Sequence, residues 1–481
     1  MRVRTKTLLL LAVAVLNCCG PNQSKRLQQE VKFEPFTFQN SSDSIEVQLG
    51  KILVPLDRSK KDGLKISLVF MKIEGSGKTS SPIFFLEGGP GSAAIKPNRY
   101  KLYKALSAFG DVIVVDQRGT GRSEPDLSCP SFRHRSFDPP IAQESEMEIQ
   151  KSLAEECWEY FEKKGLDLSS LNTLESAFDI DDVRQALGYE KITIVGMSYG
   201  SHLGLSLIKN FEESIDKVIL AGVEGYDHTY KLPSIFDKHL KIISDLIAQD
   251  SMASTVFPNF EKFVIDQIAS LEKRPVVISI GNEGESKDVS ITSFLFARDV
   301  AGMIGRKEFI SSVLTDYGAI TKGDYSRFAQ YIYNSYYVRK ISIRPLSLCM
   351  DCTSNASATR LDRINQEKST STFAEVVNFP FPEICDTWAV RKLPKDFREK
   401  LGSELPTLFI SGSLDGRTPY ENVREIASGF PNSSFITVQN MGHNTTGLFL
   451  EPEGVMETIE KFLNNKFSGS VSHSTEKVQF E

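Results

Sequence analysis

The run Gly196-Met197-Ser198-Tyr199-Gly200 joins the apolar stretch "KITIVG" to a helix-like stretch, "SHLGLSL". The G-x-S-x-G pattern alone is common. Its place between a strand-type run and a helix-type run is what marks Ser198 as a nucleophile on a strained turn. The flanking glycines have a steric task, because such a turn brings strand and helix so close that neighbouring side chains must be small. The following helix would also aim positive potential from its N-terminus at an oxyanion. A serine of this kind needs a base. Of the six histidines, His443 alone follows a late strand, in "VQNMGHNT", with Gly442 beside it to let the loop turn. His202 lies one turn past Ser198 on the helix and is expected to point away. The acid should follow the preceding strand, where "LFISGSLDGRTP" supplies Asp415 to hold the His443 tautomer and stabilise the imidazolium. Ser, Asp and His in that chain order, each just after a strand, make a joint signal that no single residue carries. A tetrahedral intermediate further requires backbone N–H donors. The Tyr199 N–H is the expected first donor, and Gly89, in the loop "FFLEGGPGS", is the expected second.

These residues need a scaffold. Strand-like runs recur as "SIEVQLGKILV", "LKISLVFMKI", "PIFFLE", "DVIVVD", "KITIVG", "KVILAG", "PTLFISG" and "SSFITVQ". The later ones are short and apolar throughout, as parallel strands buried on both faces tend to be. Helical patterns alternate with several of them, which predicts an α/β fold with a mostly parallel eight-stranded sheet covered on both faces. Between residues 222 and 406 the rhythm breaks. No loop of that length suits a compact domain, so a large, mainly helical cap inserted before the last two strands is expected. The expected division is 1–19 export signal, 20–42 tether, 43–225 first part of the core, 226–390 cap, 391–467 second part of the core and 468–481 flexible tail.

Over 481 residues the formal charge is −6, with 40% hydrophobic and 25% charged residues and no long basic run. That is ordinary globular composition, and it argues against nucleic acid as a partner. "MRVRTK" followed by "TLLLLAVAVLN" reads as an export signal, the apolar part being too short to span a bilayer comfortably. Cys19 follows, and with Leu16 three residues before it the stretch resembles a bacterial lipoprotein signal; Cys18 is the alternative lipidation point. The expected location is therefore the bacterial periplasm or a lipid-anchored membrane surface. Export implies a compartment that tolerates disulfides. Cys129, Cys157, Cys349, Cys352 and Cys385 remain, an odd number that leaves one unpaired if the others bridge. No second ligand pair accompanies Cys349 and Cys352, so no metal and no cofactor is expected.

Together these residues resemble the α/β-hydrolase fold and, more narrowly, the proline-iminopeptidase and tripeptidyl-aminopeptidase family of exported serine exopeptidases. The resemblance is carried by "ILVPLD" (52–57), "GGPG" (88–91), "DQRGTGRSEP" (116–125), "DIDDVRQALGYEKITIVGMSYGS" (179–201), "SGSLDGRTP" (411–419) and "GHN" (442–444). It implies triad roles for Ser198, Asp415 and His443 and peptides as substrates. Glu87 departs from the family pattern, standing where many members have His or Asn, and Asn444 stands where Gly is common. An exopeptidase must hold the substrate ammonium with carboxylates. Glu224 and Asp227 in "AGVEGYDHTYKLP" and, thirdly, Glu87 are the candidates. An esterase or lipase would use the same triad, and a non-catalytic binding protein usually lacks one of its members.

Overall fold

The computed structural model describes residues 31–77, 79, 81–282 and 285–481. The export signal, Cys18, Cys19 and the first part of the expected tether lie outside them. The chain forms β1 (Lys32–Gln39), β2 (Ser44–Pro55), β3 (Lys65–Ile73), β4 (Ile83–Leu86), β5 (Val112–Val115), β6 (Ile192–Ser198) and β7 (Ile215–Val223). Then come β8 (Val276–Asn282), β9 (Glu285–Ile291), β10 (Thr407–Gly412), β11 (Ser433–Gln439) and β12 (Ser470–Ser474). Ten of them make one sheet in the order β1-β2-β3-β5-β4-β6-β7-β10-β11-β12. β1, β2 and β3 pair antiparallel with one another, β3 pairs antiparallel with β5, and every pairing from β5 to β12 is parallel.

The parallel centre is buried on both faces. Phe84 and Leu86 of β4 pack into one core with Ile192 and Ile194 of β6. Ile83 and Phe85 pack into another with Val195 and Met197. This is why those strands read as unbroken apolar runs rather than alternating ones. Helices α1 (Tyr100–Ser107), α2 (Gln143–Lys163), α3 (Thr173–Ala186) and α4 (Tyr199–Phe211) supply much of the cover. Asn172 caps α3 by accepting the Glu175 N–H at 2.9 Å. The chain leaves β4 for β5 on one side, while β6 pairs with β4 on the other. That reversal opens a crevice beyond the carboxyl ends of β4 and β6, where sites in such sheets form.

All eight expected strands are present, and the sheet gains two. β1 falls inside the stretch expected to be a tether, where Phe38 is buried and Pro35 sits on an edge strand that tolerates it. β12 falls inside the stretch expected to be a flexible tail. Its polar sequence, "SVSHS", is held by parallel pairing with β11 rather than by apolar burial. The following residues continue over the molecule: Phe480 is buried, and Glu481 exchanges backbone hydrogen bonds of 2.8 Å with Ser311 and Thr315. The segment between β7 and β10 is mainly helical, with the β8–β9 hairpin inside it, and has a separate core rich in aromatic residues such as Phe260, Phe296, Tyr317 and Phe328. No helix among the described residues is long and apolar enough to cross a membrane. Disulfides join Cys129 to Cys157 and Cys352 to Cys385, and Cys349 is free and buried. The two cysteines of the C-x-x-C are thus not bonded to each other.

Candidate active site

Ser198 ends β6 and precedes α4 with φ 55° and ψ −126°. For a serine this backbone is strained by roughly 1–3 kcal/mol, and only the surrounding packing can hold it. The packing is visible at the two glycines of the motif. A Cβ on Gly196 would meet the Gly200 carbonyl oxygen at 2.5 Å, and one on Gly200 would meet the Leu86 oxygen at 2.0 Å. Strand and helix therefore close on each other behind the serine and push Oγ outward.

His443, in the loop after β11, places Nε2 3.0 Å from Ser198 Oγ and Nδ1 2.8 Å from Asp415 Oδ2. With Nδ1–H donating to the carboxylate, Nε2 is left to accept from the serine; this tautomer is assigned from the network. Asp415 is wholly buried in the turn after β10. Its Oδ1 accepts the N–H groups of Arg417 and Thr418, both at 2.9 Å, and its Oδ2 also accepts the Thr418 hydroxyl at 2.6 Å. Burial pushes the Asp415 carboxyl up, but the charge and hydrogen bond of His443, with those from Thr418, hold it below the usual carboxylate range. Thr418 Oγ1 also lies 3.0 Å from His443 Nδ1, so one hydroxyl braces both partners. Nothing at the sequence level had singled out Thr418. The only clue is that an aspartate commonly bonds the backbone two and three residues on.

The glycine loop after β4 lies against the serine: a Cβ on Gly88 would approach Ser198 Cβ to 3.1 Å. The Gly88 N–H is already donated to Glu87 Oε1 at 3.0 Å. Gly89 follows at φ +131°, a conformation suited to glycine. Tyr199 opens α4 and turns its side chain away, its hydroxyl 3.0 Å from Thr173 Oγ1. The "DQRG" stretch braces this loop. Asp116 Oδ1 accepts the N–H groups of Ala94 and Ile95 at 2.7 and 3.0 Å, Gln117 Nε2 donates to the Glu87 carbonyl at 3.1 Å, and buried Arg118 grips Asp179 through two bonds.

The candidate ammonium anchors separate. Glu87 is held by Arg99 through bonds of 2.7 and 3.0 Å and works as a strut beneath the glycine loop. Asp227 accepts the Ser357 N–H and hydroxyl at 2.7 and 2.6 Å, holding the residue whose own hydroxyl caps the helix 358–368. Glu224 is nearly buried and pairs with Lys231 at 3.0 Å. Near it is an acid the sequence had not flagged. Asp351, on the helix Pro345–Ser354, faces a cavity of about 310 Å³ that it lines with Lys231 and Arg417. Burial, then the Glu224 charge, push its carboxyl well up, against the pull of Lys231. The same helix touches the glycine loop, Ser347 donating to the Pro90 carbonyl at 2.7 Å. His202 does point away, its Nδ1 2.9 Å from the Gly225 carbonyl.

Residues 81–446 match the model of the alpha/beta hydrolase fold family. The chain is 25% identical to a tripeptidyl aminopeptidase of Streptomyces lividans, over 84% of this chain and 79% of that protein. It is 26% identical to one of Streptomyces coelicolor, over 84% and 78%. A further match, at 26%, is to the serine protease Hip1 of Mycobacterium tuberculosis, over 41% of this chain and 40% of that protein.

Proposed function

Because the chain belongs to the alpha/beta hydrolase fold family, we propose that it is an exported serine aminopeptidase, hydrolysing peptide bonds near a free N-terminus through an acyl-enzyme. The observation that carries this reading is the continuous path from Ser198 Oγ through His443 to Asp415, at 3.0 and 2.8 Å. Ser198 attacks the carbonyl carbon while His443 Nε2 takes its proton. The oxyanion is met by the N–H groups of Tyr199 and Gly89. His443 then gives the proton to the departing amine; a water, losing a proton to His443, attacks the acyl carbon, and the proton returns to Ser198 Oγ as the acid leaves. Asp415, steadied by Thr418, keeps the imidazole in the right tautomer throughout.

Peptide as the substrate is supported by the names of the curated relatives. Glu224, paired with Lys231, and Asp351, which lines the cavity with that lysine, are our choice for the N-terminal ammonium; Glu87 and Asp227 are spent on Arg99 and Ser357. Two disulfides suit an oxidising compartment, in keeping with export. The division into a core (43–225 and 391–467) and a cap (226–390) belongs to this proposal, as does lipidation at Cys19 or Cys18, which radiolabelled palmitate would reveal.

The test uses protein starting after Cys19, a set of aminoacyl, dipeptidyl and tripeptidyl chromogenic amides with free or acetylated N-termini, and short acyl esters. Cleavage of free but not acetylated peptides is the expected result, abolished in Ser198→Ala with the fold retained. Activity on esters alone would make the enzyme an esterase, and undiminished hydrolysis by Ser198→Ala would sink the mechanism.

A further inference from the structure

The cavity of about 310 Å³ that reaches the Asp415 turn carries charges the mechanism does not use. Lys231 is answered by Glu224 at 3.0 Å. Arg417, two residues past Asp415, is not answered: it is exposed at the cavity wall, and its guanidinium makes no ion pair or hydrogen bond among the described residues. The nearby Gly305 backbone fixes its root. A Cβ there would meet Arg417 Cγ at 3.1 Å, and the Gly305 carbonyl accepts the His443 N–H, so Arg417 sits one contact from the catalytic loop.

Arg298 lines the same cavity from the helix Ser293–Met303. Its nearest carboxylate oxygen is on Glu146 at 4.0 Å, and Glu146 is already gripped by Arg135 at 2.6 Å. The guanidinium rests over Phe379 at 5.0 Å and Phe294 at 5.7 Å, while its buried Nη1 has no hydrogen-bond partner among the described residues. Ring faces hold a guanidinium in place but leave its in-plane N–H groups unsatisfied. Two cations with unpaired N–H groups, one partly buried and one exposed, around one half-open cavity form an arrangement that an anion would complete. Guanidinium forks match carboxylates in particular.

We infer that this cavity receives a carboxylate of the substrate, bound by Arg298 and Arg417, and that the enzyme therefore prefers acidic peptides. The inference rests on the peptidase reading above and adds the substrate class. Glu224 and Asp351 provide the place for the ammonium, so a peptide bearing a positive N-terminus and a negative group within a few residues of it meets complementary charge at both points. The carboxylate has two sources: an aspartate or glutamate side chain, or the C-terminus of a short peptide.

Tripeptide anilides with Glu, Gln or Lys scanned through the three positions, and free tetrapeptides as acids and as C-terminal amides, separate the sources. At one position Glu is expected to exceed Gln in kcat/KM by about fivefold, as a charge-assisted contact to a partly exposed guanidinium would give. If the C-terminus is the source, the acid exceeds the amide instead. In Arg417→Gln and in Arg298→Gln the favoured ratio should fall towards one. Should Arg298→Gln fail to fold, the Arg417→Gln ratio decides. Glu, Gln, acid and amide all within twofold in the wild type would overturn the inference. Were no peptide cleaved at all, the peptidase reading would fail, and calorimetric binding of the same peptides to Ser198→Ala would still read the charge preference.

Discussion

The turns at the carboxyl ends of the strands and the cavity beside them handle polar groups in opposite ways. In the turns the carboxylates are matched: Asp415 accepts four bonds, Glu87 is clasped by Arg99, and Asp116 holds the far end of the glycine loop. In the cavity, among the described residues, Arg417 lacks a partner and Arg298 has a buried N–H without one, and Asp351 is driven away from its charged form. A matched network is fixed before substrate arrives, which suits chemistry that depends on preorganised dipoles. An unmatched one is completed by its ligand, which suits selection. The first region is rigid because it is finished, and the second is selective because it is not.

Four substitutions probe that contrast. The largest effect is expected of Gly200→Ala, whose new Cβ would strike the Leu86 oxygen; a loss of about 4 kcal/mol or more in urea unfolding is anticipated. A small loss would show that the elbow is looser than its contacts imply. Glu87→Gln strips a buried partner from Arg99 and should cost about 3 kcal/mol near neutral pH. Burial raises the Glu87 carboxyl, but Arg99, Lys96 and the Gly88 N–H bring it below the usual range. A carboxyl depressed by folding stabilises above its unfolded pKa, about 4.3, and that contribution fades as pH falls through the lower folded value. Unfolding curves of the two proteins should hence be far apart at neutrality and converge in acid; a pH-independent gap would deny Glu87 its role as a charged strut.

Smaller effects belong to the two residues that only the folded chain makes conspicuous. Thr418→Val removes one bond from Asp415 and one contact from His443, for an expected loss of about tenfold in kcat with KM little changed. A loss confined to KM would move Thr418 from the matched region to the selective one. Asp351→Asn should raise KM by about threefold for free-amine peptides and leave acetylated ones alone, because a bound ammonium would draw the carboxyl, which burial holds towards its neutral form, into its charged one. An effect larger than that of Thr418→Val would reverse the order proposed for the two regions.

What could be read from the sequence followed the same divide. The eight strands and the order Ser198, Asp415, His443 were legible because central parallel strands advertise themselves as apolar runs, and the three residues sit in the turns directly after them. Tyr199 and Gly89 were read by the same local logic and remain proposed oxyanion donors. β12 was not legible, because a polar pentapeptide becomes a strand only when β11 offers a free edge. Nor was β1, whose antiparallel pairing with β2 supplies the burial of Phe38. Asp351 and Arg298 reach the cavity on helices far along the chain, so proximity alone gives them meaning. The pairings Cys129–Cys157 and Cys352–Cys385 are likewise facts of distance that cysteine counting leaves open.

The path taken by residues 470–481 has a mechanical side. β12 is stitched to the sheet, and only six residues past its end Phe480 is seated in the aromatic core of the segment between β7 and β10, with Glu481 bonded on either side. That segment is consequently a plate riveted at two margins and strapped across a third, rather than a door on one hinge. Moving that segment against the sheet would require β12 to part from β11 or Phe480 to leave its core.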